Sequence, residues 1–175
     1  MERIRRISDR RNPSFFKRSQ SPMRRNRVLS APSKYKQDTF KFRGFPVTLL
    51  LKKVWAVQLK TSKYVNIAKV DIVSNREINF VTVTRIPGEA PRLHRVRVYS
   101  SDPNYPDRLV DCKSVRYECD CADHKYRKEV ADSLHYISDI KYSNGNMPLE
   151  TNPGMVPGIC KHAFKALMYI YQHRL

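Results

Sequence analysis

The 175 residues carry 34 Lys and Arg against 16 Asp and Glu, a net charge of +18, and only four cysteines. Thiols so few and so unevenly spaced exclude a secreted disulfide scaffold and point to a reducing compartment and metal binding. The charge excess implies a polyanionic or acidic partner. A membrane span is not expected, because the longest apolar run, "FPVTLLL", stops at Lys52 and Lys53.

Residues 1–36 hold twelve Arg and Lys and two acids, Glu2 and Asp9. The opening "MERIRRISDRR" lacks an apolar core, which argues against a secretory signal. The segment is rich in Arg, Ser and Pro and shows no sustained period, so an extended basic arm is predicted. Its candidate contacts with nucleic acid or a protein partner are Arg5, Arg6, Arg10, Arg11, Phe15, Phe16, Lys17, Arg18, Arg24, Arg25 and Arg27. Arg offers forked hydrogen bonds to acidic groups, and Pro lowers the entropy lost on docking. The apolar pairs Phe15-Phe16 and Val28-Leu29 suit pockets on a protein. With no base-reading element, contact with DNA would run through phosphates.

Residues 37–118 read as an antiparallel β domain. The runs "VTLLLKKVWAVQL", "KYVNIAKVDIV", "INFVTVTRI", "RLHRVRVYS" and "SVRYECD" are rich in Val, Ile, Thr and aromatics, and breakers separate them. Val96/Val98 and Val115/Tyr117/Cys119 alternate, which predicts a meander with one buried face. Trp55 is expected in the core.

Residues 119–175 turn helical, giving an α+β chain. Tyr126, Val130, Leu134 and Ile137 follow helical spacing, with Asp123 placed to cap the start. The loop "SDIKYSNGNMPLETNPGMVPG" comes next. A final helix is predicted with Phe164, Leu167, Met168, Tyr171 and Leu175 on its packed face.

The cysteines decide the chemistry. Cys119 and Cys121 form C-x-C where the strand pattern ends; Cys160 and His162 form C-x-H where the last helix begins. On a strand, residues i and i+2 lie about 6.6–6.8 Å apart. Two sulfurs sharing one zinc at about 2.3 Å each must lie closer than about 4 Å. The chain therefore has to curl at Asp120-Cys121. At the second pair, a helix N-terminus stabilises thiolate. Together they make a Cys3His set suited to a closed structural zinc site, one ion per chain. His124 and Cys112 stand as alternative ligands, while His94, His135 and His173 read as surface or helix-face residues.

The pattern C-x-C, insertion, C-x-H, with strands before and a helix after, resembles the SWIM-type zinc finger over roughly residues 96–173. Cys119, Cys121, Cys160 and His162 match it residue by residue; the 122–159 insertion is long for that module. The resemblance implies a zinc site and a role in binding DNA or protein. The "YR" after the first pair and "SNG…P…TNP…PGICKH" before the second resemble small proteins of tailed bacteriophages, often virion components.

Four protein donors leave zinc no open position for an activated water. The acids are scattered, and neither a phosphate loop nor a nucleophile motif occurs. The expectation is a non-enzymatic structural protein of a virion, touching other virion proteins and no small-molecule substrate. The alternative is a soluble nucleic-acid-binding accessory protein of the host cytoplasm.

Overall fold

The computed structural model describes residues 44–100 and 108–175, which fall within one compact unit, Asp38–Leu175. The basic arm and all its candidate contacts, from Arg5 to Arg27, lie outside the described residues.

Four strands, β1 (Val65–Ser74), β2 (Glu77–Thr84), β3 (Arg92–Ser100) and β4 (Val115–Cys119), form a sheet in the order β1-β2-β3-β4. Every neighbouring pair is antiparallel, so the meander expected from the alternation is present. Ile78, Phe80, Val96, Val98, Val115, Tyr117 and Cys119 share its buried face. The outer face is polar and cross-linked. Arg97 spans Glu77 at 2.7 Å and Glu118 at 3.5 Å, and Lys141 reaches Glu118 at 2.7 Å. The far edge of β4 is not left open: Phe45 exchanges two backbone hydrogen bonds of 3.0 Å with Val115, and Tyr117 N–H donates to Ile137 O at 3.1 Å.

The strand expected over "VTLLLKKVWAVQL" is instead two short helices, α1 (Val47–Leu51) and α2 (Ala56–Thr61). The buried pairs explain it: Val47 and Leu50 lie at i, i+3, and Gln58 and Ser62 at i, i+4. A 3-10 turn, Ser62–Tyr64, leads into β1. Trp55 sits at a seam rather than in the core. Its indole N–H donates to Pro157 O at 3.4 Å, and the buried Lys128 Nζ lies 3.5 Å from the ring centroid. A Cβ on Gly158 would enter that indole, so the loop can pass only as glycine.

After β4 a π-helical turn, His124–Lys128, runs into α3 (Glu129–Leu134). The wider turn shifts the helical phase. Val130 and Ile137 are buried as expected, but Tyr126 and Leu134 are exposed, and His124, Lys128, Glu129 and Asp132 turn inward. Asp123 makes no cap; its carboxylate accepts from Gln58 Nε2 at 3.2 Å and pairs with Arg127 at 3.1 Å. The last helix, α4 (Lys161–His173), lies across the buried face of the sheet. Its inner stripe is Ala163, Ala166, Leu167 and Ile170. Of the five residues expected there only Leu167 is fully buried, because the small alanines let α4 approach the sheet and rotate the bulkier stripe aside.

The Pro/Gly-rich loop has few apolar anchors and is held by polar ones. Glu129 accepts the backbone N–H groups of Lys141, Tyr142 and Ser143 at 3.0, 2.9 and 2.5 Å. Asn152 bonds Arg127 O and both polar backbone atoms of Val156 at 2.9–3.1 Å. Asp132 accepts from Gly158 N–H at 2.8 Å and from the Tyr117 hydroxyl at 2.6 Å.

Candidate metal centre

The inward phase of β4 delivers Cys119 to the buried face, fully enclosed. The strand ends there, as the curl at Asp120-Cys121 requires. Cys121 precedes the π-turn, and its Sγ accepts the His124 backbone N–H at 3.4 Å. Cys160 is the N-cap of α4, and its Sγ accepts the Ala163 N–H at 3.4 Å. His162 follows in the first turn. Two helical starts thus aim backbone donors at two sulfurs.

The four donor atoms lie within 4.8 Å of one another, and all four residues are buried, none more than 2% exposed. A tetrahedron with bonds of about 2.3 Å has edges of about 3.8 Å, so a small inward movement completes the coordination shell. His162 Nδ1 faces Cys119 Sγ at 4.0 Å, while Nε2 pairs with Thr84 Oγ1 at 2.8 Å. Thr84 therefore occupies the nitrogen that points away and leaves Nδ1 for the metal.

Proton sharing among the sulfurs is uneven. Hydrogen bonds from Cys119 and Cys160 hold the Cys121 thiol well below its ordinary range. Burial pushes the Cys119 thiol well up, and its sharing with Cys121 and Cys160 adds to this. The proton is therefore held more tightly at Cys119 than at Cys121.

The alternative ligands stand apart. Cys112 donates to Arg108 O at 3.5 Å. His124 is fully enclosed, with Nε2 at 3.4 Å from Ser138 Oγ and Nδ1 at 3.9 Å from Asp132. His94, expected on the surface, is half-buried instead: its ring lies 4.3 Å from that of His162, and its Nδ1 is 3.1 Å from Asp120 Oδ1. Neither Thr84 nor His94 was predicted to support the site, although His94 falls two residues before Val96 on the inward phase. That phase was the signal available.

No protein family, curated protein or solved structure matches this chain.

Proposed function

We propose that this chain is a non-enzymatic zinc-binding structural protein of a tailed-phage virion, docked through its basic arm to other virion proteins. The complete burial of a four-donor Cys3His cluster carries the reading, because such a set saturates zinc and excludes solvent from it. Three sulfurs and one imidazole select zinc over the harder cations, which take oxygen ligands. The metal would then join the end of β4 to the start of α4 without taking part in a reaction. The virion assignment rests on the sequence pattern around the two ligand pairs and on the composition of residues 1–36.

The test is purification of particles followed by elemental analysis of the isolated chain. One zinc per chain and enrichment in particles are expected, with residues 1–36 cut by protease in the free protein and protected in the particle. Phe15→Ser with Phe16→Ser should lower incorporation and leave zinc content unchanged. A chain confined to lysate would transfer the assignment to the soluble nucleic-acid-binding alternative.

The hydrogen bond from Thr84 yields a separate expectation. Thr84→Val keeps the shape of β2 but frees the second ring nitrogen of His162. Zinc affinity, measured by chelator competition, should fall about 10–100-fold with the fold retained. Unchanged affinity would show that Thr84 does not orient the ring.

A further inference from the structure

The described charges are distributed unevenly between the two layers of the domain. On the outer face of the sheet, Arg97 and Lys141 meet Glu77 and Glu118, and Arg116 meets Asp139. That face is nearly balanced. The helical layer is not. α1, α2, the Ser62–Tyr64 turn and α4 contain no Asp or Glu, while Lys60, Lys63, Lys161 and Lys165 lie on them and Lys52 and Lys53 connect α1 to α2.

These segments are neighbours in space. α1, α2 and the 3-10 turn all pack against α4. Val54 bridges Ile159, and Ile159 N–H donates to Lys53 O at 3.3 Å, which brings the α1–α2 connection beside the start of α4. Arg85 at the end of β2 joins them, its N–H donating to Tyr64 O at 2.9 Å. Lys52, Lys60, Lys63 and Arg85 are exposed, and Lys53, Lys161 and Lys165 are half-buried. None of the seven forms an ion pair among the described residues. One acid bonded to this layer is Asp123, which Gln58 holds and Arg127 neutralises.

We infer that the helical layer is a polyanion-binding surface, separate from the arm, and that its partner is the phosphate backbone of a nucleic acid. Unpaired lysines spread over several elements neutralise a line of phosphates without reading sequence. A balanced sheet face opposite would leave the domain with one side toward the nucleic acid and one side away. The inference does not rest on the zinc cluster or on virion incorporation, so its failure would leave both readings standing.

The experiment uses the full zinc-loaded chain and a fluorescent random-sequence 20-base-pair duplex, with affinity followed across a salt series. One variant carries Lys52→Gln, Lys60→Gln, Lys63→Gln, Arg85→Gln and Lys165→Gln. A control of the same net charge carries Lys69→Gln, Arg92→Gln, Arg95→Gln, Lys113→Gln and Lys125→Gln. Zinc content and circular dichroism check that both remain folded. Each lost phosphate contact should reduce the log–log salt slope by about 0.9. The helical-layer variant is expected to lose about 3 or more from the slope and the control less than about 1. Equal slopes for the two variants, or a native chain that does not bind the duplex, would overturn the proposal. If the helical-layer variant binds duplex normally but fails to enter particles, the surface belongs to an acidic protein partner, which the exposed Val57 and Leu59 would suit.

Discussion

Chelating the metal is expected to lower the free energy of unfolding by several kcal/mol. At a free zinc concentration 1,000 times Kd, linkage alone contributes about 4 kcal/mol. That is a large share of the roughly 5–15 kcal/mol that holds a domain together. The ligand residues sit where the loss is felt most: Cys119 ends the sheet, and Cys160 and His162 open the helix that covers it. Urea unfolding of zinc-loaded and EDTA-treated protein measures the difference. Cys121→Ser should reproduce the effect, whereas Cys112→Ser should retain one zinc, since its thiol is turned to Arg108. An unchanged urea midpoint after verified zinc loss would falsify a stabilising role.

Proton release gives the same site a finer test. The native cluster lowers the Cys121 thiol and raises the Cys119 thiol, so Cys121 gives up its proton first. Zinc loading of folded apo-protein should therefore release fewer than three thiol protons, and affinity should rise with pH until the remaining thiols have ionised. Calorimetry in two buffers of different ionisation heat counts them. Three or more would mean that the metal-free chain does not hold the cluster together.

The parts of this fold legible in the sequence are those governed by a strong local period. β3 and β4 follow the alternation of Val96/Val98 and Val115/Tyr117/Cys119, and the paired ligand spacings place all four donors together. The segment 47–61 is helical despite its β-forming composition, with Val47/Leu50 and Gln58/Ser62 buried at helical spacing. The faces of the last two helices depart from their apolar spacing for different reasons. A π-turn displaces the first by part of a turn, and in α4 close approach by alanines outweighs side-chain size. Thr84 and His94 contact His162 from β2 and β3, contacts that only strand register brings about. Glu129 and Asp132 resemble solvated helix residues in sequence, yet they hold a loop that begins several residues later.

Those two carboxylates are expected to respond to pH in opposite directions. Burial raises Glu129, but the three backbone N–H groups from Lys141, Tyr142 and Ser143 outweigh it and hold the carboxyl below its ordinary range. Its contribution is therefore present above the unfolded pKa and disappears as pH falls through the folded one. Glu129→Gln presents a single carbonyl oxygen to three donors and turns its own N–H groups toward them. The cost should be about 3 kcal/mol, nearly constant between pH 6 and 8, where the carboxylate is ionised in both states. Asp132 behaves otherwise. Burial pushes it up to about 7, against the Tyr117 and Gly158 hydrogen bonds that favour its charged form. A raised folded pKa gives stability that is full below the unfolded value and is lost as pH rises through about 7. Relative to Asp132→Asn, which cannot ionise, the native protein should lose about 1 kcal/mol between pH 6 and 8. Urea midpoints of the three zinc-loaded proteins at both pH values decide the matter. A Glu129→Gln protein as stable as the native one would show that the loop is not held by this carboxylate. Parallel pH profiles for the native and Asp132→Asn proteins would show that Asp132 stays ionised throughout.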